Sequence, residues 1–301
     1  MNATEDYPYW MAFAHLPRWR TERINGLLCA ILETHQIALA EFWAYAPEEW
    51  QSEFELAAKE IADLQTAKAA LPAYAALAEK LAKLEIEVIP YLSERYPPTL
   101  KRNLPIESAP PLLYIKGDAR LLQEPAVAIV GSRKASVQAL EFTRNIARRC
   151  AENFEVVVSG YAKGVEQTAL EETRRVNGRS IIALAQGILT FTSGFKKYYE
   201  QIEAGDVLVC SAAHPKARWA AGLAMGQNAY IYGLAEKIYV AEVNFEGETW
   251  AGVVDALKKG RPIYVRQPAD DEKNANQRLI AKGAVPVDMG GNPLTEKTAA
   301  S

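Results

Sequence analysis

Residues 126–133 read AVAIVGSR. The apolar run has strand character, breaks at Gly131, and passes through Ser132 and Arg133 into a helix-compatible segment. A strand that opens through glycine onto a helix N-terminus makes an anion site: the first helix amides lack internal partners and the macrodipole makes that end positive. Backbone N–H groups, Ser132 and Arg133 can then hold a phosphate together. The same pattern also describes a tight strand-to-helix turn without a ligand, and the stretch taken alone admits both readings.

A second unit repeats the design. Residues 156–160, VVVSG, end in Ser159-Gly160, and Lys163-Gly164 lead into a helix-like stretch from Val165 to Val176. In a doubly wound parallel sheet the loops at the carboxyl ends of the strands converge on one crevice, so Arg133 and Lys163 are expected to face one polyanion, with Gly131 and Gly160 ending adjacent strands. The order Gly-Ser-Arg-Lys-Ala-Ser after Val130 has no second or third glycine at dinucleotide spacing, which argues against an NAD site.

Outward from this pair, strand and helix alternate: LLYIKG at 112–117, AVAIV, a helix near 136–152, VVVSG, a helix near 165–176, SIIALA, a basic-aromatic segment near 195–203, DVLVCS, KIYVAE, a helix near 249–259 and PIYVRQ. Such alternation predicts an α/β fold, a Rossmann-like, doubly wound and mostly parallel sheet covered on both faces. The front of the chain reads differently. Ile24, Leu27, Leu28, Ile31 and Leu32 form an amphipathic helical stripe over 21–35 with Thr21 as its expected N-cap. Pro47-Glu48-Glu49 reads as a second helix start, and segments 54–70 and 72–84 complete a small bundle. The expected organisation is an acidic, SAM-like helical domain over 1–88, a Rossmann-like domain over 89–290, and a disordered tail over 291–301.

The 301 residues have room for two modest cores. Residues 1–88 carry seven Lys and Arg against fourteen Asp and Glu, and the remainder 27 against 23. The later part is therefore the better partner for an anion, with Arg133, Lys134, Arg144, Arg148, Arg149 and Lys163 as candidate cations. Cys29, Cys150 and Cys210 lack metal-ligand spacing and suggest reduced thiols in a cytoplasm. No metal site is expected, and the acidic N-terminus lacks a signal-like or membrane-spanning apolar run.

From about Tyr96 to Val287 the chain resembles the DNA-processing DprA/Smf family, within the wider SLOG group of nucleotide-associated folds. Tyr96-Pro97-Pro98-Thr99-Leu100, PPLLYIKGD, EPAVAIVGSRKAS, VVVSGYAKGVEQTAL and NANQRLIAKGAVPV carry the resemblance. It implies a non-catalytic protein that binds single-stranded DNA without a cofactor, forms a homodimer and helps load a RecA-type recombinase. It also implies phosphate contacts from Gly131, Ser132, Arg133, Lys134, Ser159, Gly160, Lys163, Gly164 and Asn228.

The chain departs from the family pattern at Ala224-Met225-Gly226-Gln227-Asn228-Ala229, where only Asn228 survives of an arginine-asparagine-arginine set, and at Ala212-Ala213-His214-Pro215. It reads as a divergent short form. Tyr230 and Tyr232 are candidate replacements for a lost base-stacking platform. Loss of cations with retention of the phosphate turns also fits a small-nucleotide sensor or an adaptor. An enzyme reading has only His214 as a candidate base, without a nucleophile beside it.

Overall fold

The computed structural model describes residues 6–294. They form two compact units: residues 6–96 with 104–116, and 97–103 with 117–294.

The first unit is helical: α1 (Tyr7–Ala14), α2 (Thr21–Cys29), α3 (Leu39–Ala44), α4 (Pro47–Phe54), α5 (Ala58–Ala69) and α6 (Leu71–Lys83). Aromatic residues build its core. Phe13 packs on Trp43 with ring centroids 4.8 Å apart, and Phe42 packs on Phe54 at 5.1 Å and Trp50 at 5.7 Å. Pro47 opens α4 as expected, and the Glu49 carboxylate accepts from the Ala46 N–H at 2.6 Å. Two expectations change. Arg20, with extended backbone and no side-chain bond, caps α2, and Thr21 is its first helical residue. The stripe over 21–35 is not one α-helix, because residues Ala30–Thr34 widen into a π turn.

A boundary at residue 88 also proves too early. Strand β1 (Glu87–Pro90) pairs antiparallel with β2 (Leu112–Lys116), in register Glu87↔Ile115 to Pro90↔Leu112. That long-range ladder carries 104–116 into the helical unit. The intervening α7 (Pro98–Asn103) belongs to the second unit, where the Asn103 amide donates to the carbonyls of Gly233 and Ala235.

The second unit contains β3 (Ala126–Val130), α8 (Val137–Glu152), β4 (Val156–Ser159), α9 (Val165–Arg175), β5 (Ser180–Ala183), α10 (Thr192–Lys197), α11 (Tyr199–Glu203), β6 (Val207–Ser211), α12 (Ala221–Leu234), β7 (Lys237–Val240), α13 (Glu248–Lys258), β8 (Ile263–Arg266), α14 (Asn276–Ile280) and β9 (Val285–Val287). Its seven strands are all parallel in the order β6-β5-β4-β3-β7-β8-β9. The chain winds from β3 to β6 on one side and returns through β7 on the other. The order therefore reverses beside β3, where crevices form at the carboxyl ends of strands.

Every residue of β3, β4, β5 and β6 is buried, as strands covered on both faces must be. Val127 and Ile129 pack with Phe142 and Ile146 of α8 and with Val165 and Ala169 of α9, while α12 packs against β3, β4 and β5. The α12 segment was not expected to be helical. Ala221–Leu234 carries no charge and three glycines and is apolar around most of its surface, so no amphipathic period marks it. The expected tail is placed in part: the Asp288 carboxylate accepts from the N–H groups of Gly290 and Asn292, and Pro293 bridges Val287. Residues 295–301 of that tail lie outside the described residues. Among the described residues no helix is long and apolar enough to cross a membrane.

Candidate functional site

Gly131 and Gly160 follow the adjacent parallel strands β3 and β4, so the two loops open on the same end of the sheet. The anion site expected at the start of α8 is already filled. The loop runs through residues 131–136 before α8 begins, with Ser136 as N-cap, its hydroxyl accepting from the Ala139 N–H at 3.2 Å. Glu242, just beyond β7, accepts from the Ser136 hydroxyl at 2.5 Å and from its N–H at 3.3 Å. A buried carboxylate of the chain itself thus takes the place that a phosphate would have at this helix end. Arg266, almost fully buried, lies 3.9 Å from Glu242 and is held mainly by Glu272 at 2.5 Å.

The two serines of the phosphate turns likewise make internal hydrogen bonds. Ser132 is 5% exposed; its N–H donates to the Glu242 carbonyl at 2.8 Å and its hydroxyl accepts from the Lys134 N–H at 3.1 Å. Ser159 is fully buried and donates to the Ile129 carbonyl at 2.7 Å, tying β4 to β3.

Close packing explains the glycines. A β-carbon at Gly131 would lie 2.7 Å from a Val165 methyl group, and one at Gly160 2.4 Å from the Glu166 carboxylate. Gly164 has φ +81°, and a β-carbon there would meet the Ser132 carbonyl at 2.4 Å and the Arg133 carbonyl at 2.7 Å. The glycines let the two loops lock together, and open space lies beside them.

That space is a cleft of about 550 Å³ across the carboxyl ends of β3, β4 and β5. Arg133, Lys134 and Lys163 supply its positive charge, and all three are exposed. Asn228 on α12 joins them, its amide donating to the Glu248 carbonyl at 3.3 Å. Trp219 forms one wall; it is 53% exposed, with the Arg133 guanidinium 6.0 Å from its ring centre. Phe191 and Tyr161, edge to face at 4.8 Å, form an aromatic wall beside Lys163.

Two carboxylates temper the field. Glu248, the first residue of α13, pairs with Arg133 at 3.1 Å. Glu166 accepts from the Ala162 N–H at 2.8 Å, and burial raises its carboxyl pKa against the opposing effects of that hydrogen bond and of Arg133. Neither Trp219 nor Glu166 was singled out from the sequence. The available signal for the first was the Lys216-Ala217-Arg218-Trp219 run, which interleaves cations with an aromatic ring.

The structure separates the remaining candidates from this cleft. Tyr230 and Tyr232 are 8% and 5% exposed within α12, so their faces are covered by protein and cannot stack on bases. Arg144 pairs with Glu141, Arg148 with Glu172, and Arg149 donates to the Gly290 carbonyl; none of these three lines the cleft. His214 also lies outside the lining, and burial together with Lys216 lowers its pKa. Burial pushes the thiols of Cys150 and Cys210 up to about 12, the opposite of nucleophile activation. Among the described residues no group of His, Cys, Asp and Glu is placed to hold a metal.

The architecture matches solved DNA-processing proteins. The X-ray structure of DNA processing protein A from Streptococcus pneumoniae superposes with a TM-score of 0.66 at 24% identity, covering 94% of each chain. A structure of the Helicobacter pylori protein, described for its single-stranded DNA binding mode, has a TM-score of 0.57 at 23% identity over 67% of this chain and 90% of that one. In sequence, the S. pneumoniae DNA processing protein DprA is 30% identical over 193 residues, 64% of this chain and 68% of that protein. The Escherichia coli protein Smf is 27% identical over 179 residues, 59% of this chain and 47% of that protein. The model of the family described as DNA recombination-mediator protein A matches residues 87–297. That match spans well over half of the sequence, and the chain belongs to the DNA recombination-mediator protein A family.

Proposed function

We propose that this chain binds single-stranded DNA in the cleft over β3, β4 and β5. The observation that carries the reading is the convergence of Arg133, Lys134 and Lys163 on a cleft walled by the exposed Trp219 ring. Single strands are held by cations along the backbone and by aromatic faces under the bases, and both are present here. Arg133 is the principal phosphate ligand because its fork can make two charge-assisted bonds, while Lys134 and Lys163 act as point charges. Asn228 is the polar contact opposite them. Gly131, Gly160 and Gly164 serve by keeping the loops closely packed.

The protein acts by binding rather than by catalysis in this reading. Homodimer formation and assistance to a RecA-type recombinase rest on the family resemblance, and light scattering and co-precipitation with a recombinase test them. A small phosphate-bearing nucleotide is the second reading, favoured by the size of the cleft and by the hold of Glu248 on Arg133.

Anisotropy of labelled oligo-dT tests the proposal. Arg133→Ala is expected to weaken binding by about 1.5–3 kcal/mol, the range for hydrogen bonds to charged groups. Trp219→Ala is expected to cost about 1–3 kcal/mol, as loss of a stacked base does. Oligo-dT affinity unchanged by both substitutions overturns the reading.

A further inference from the structure

The helical unit has a basic-aromatic cleft of its own, of about 640 Å³, lined by Arg18, Trp19, Arg20, Arg23 and Lys59 together with Glu22, Glu60 and Asp63. Only seven lysines and arginines occur among residues 1–88, against fourteen acids. Four of those seven line this cleft beside three of the acids, so its lining carries a small positive excess in a unit that is otherwise acidic.

The cleft is braced from within. The Trp19 indole N–H donates to Asp63 Oδ2 at 3.1 Å, and Arg18 pairs with the other oxygen of the same carboxylate. Arg18 reaches it from a left-handed backbone, φ +68°, a conformation that a residue with a β-carbon adopts at a cost in energy. The Arg23 guanidinium lies 5.7 Å from the Trp19 ring centre and is fixed by Glu60, with Nε to Oε1 at 2.6 Å. The pairs with Asp63 and Glu60 hold the ring and two guanidinium groups in place, and Arg20 and Lys59 stand exposed at the rim.

We propose that this cleft is a second contact for single-stranded nucleic acid, with Arg20 and Lys59 on phosphates and Trp19 beneath a base. The inference rests on the reading of the chain as a single-strand binder and adds a site on a different unit. A fixed indole is the feature that favours a nucleic acid over an acidic peptide, since every base offers a π-face and a carboxylate does not.

The test is photo-crosslinking of an oligo-dT containing 5-iodouracil to the full chain, with mass spectrometry of the peptides, for wild type and for Arg20→Ala/Lys59→Ala. Both changed side chains are exposed, so circular dichroism should match wild type. Expected are a crosslink at Trp19, its loss in the double variant, and a salt slope of binding shallower by about 1.4, from about 0.7 per phosphate contact on a single strand. Crosslinks confined to peptides within 131–249 overturn this site and leave the sheet cleft standing. A crosslink at Trp19 alone supports this site and overturns the sheet cleft, and absence of binding overturns both.

Discussion

Replacing Glu248 by glutamine removes an acid from the sheet cleft without removing a cation, and the sign of its effect on DNA affinity is diagnostic. Glu248 sits 3.1 Å from Arg133, so a phosphate on the far side of the guanidinium would lie roughly 6 Å from the carboxylate. Repulsion at that distance is about 0.7 kcal/mol at the dielectric of water and about 3 kcal/mol at the value of about 20 suited to a protein surface. The Arg133 and Glu248 side chains are 57% and 33% exposed, which places the effect towards the lower figure, at about 1 kcal/mol. Glu248→Gln should therefore tighten oligo-dT binding about fivefold. It should also lower stability slightly, by about 0.3–1 kcal/mol, since Glu248 opens α13 and complements its dipole. Anisotropy titration and urea denaturation read the two effects separately. Unchanged or weaker oligo-dT binding would refute the assignment of Arg133 as a phosphate ligand in competition with Glu248.

Gly164→Ala places a β-carbon 2.4 Å from the Ser132 carbonyl at a positive φ, so it should destabilise the fold by more than the roughly 1–2 kcal/mol of left-handed strain alone, as read by the urea midpoint. A midpoint equal to wild type would contradict the interlocked-loop account. The Glu172 carboxyl, bonded to Arg175 and Arg148, has its pKa lowered to about 2. Its folded value lies below the unfolded one, so its stabilisation is present above about pH 4.5 and disappears as pH falls towards 2. Glu172→Gln should accordingly cost about 1–2 kcal/mol at pH 7, screened by the exposure of Arg175, and much less near pH 2; equal losses at both would contradict it.

The parallel sheet was legible because its strands are short, apolar on both faces and punctuated by glycine, and these features survive in any one-dimensional reading. The adjacency of β3 and β4 followed from the same logic. The helix start near residue 136 was legible, whereas nothing local distinguishes a helix N-terminus open to a ligand from one capped by the chain itself. The distinction is made by Glu242, more than a hundred residues away, which comes in from β7 to bind Ser136. The internal bonds of Ser132 and Ser159 were not legible for a related reason: a serine beside glycine at a strand end suits a phosphate turn and a buried strand tie equally well. Tyr230 and Tyr232 were misplaced because α12 lacks an amphipathic period, so their burial had no signal in sequence. Trp219 was overlooked although the cations flanking it are visible. The unit boundary depended on the β1–β2 ladder, a pairing that spans the proline-rich loops.

The salt dependence of oligo-dT affinity tests the central claim most directly. A single strand held by Arg133, Lys134 and Lys163 should show a slope of log K against log salt of at least about −2, from roughly −0.7 per phosphate contact, and Arg133→Ala should make it shallower by about 0.7. A slope near zero with a mononucleotide bound as tightly as the oligomer, or the same slope in wild type and Arg133→Ala, would contradict the account.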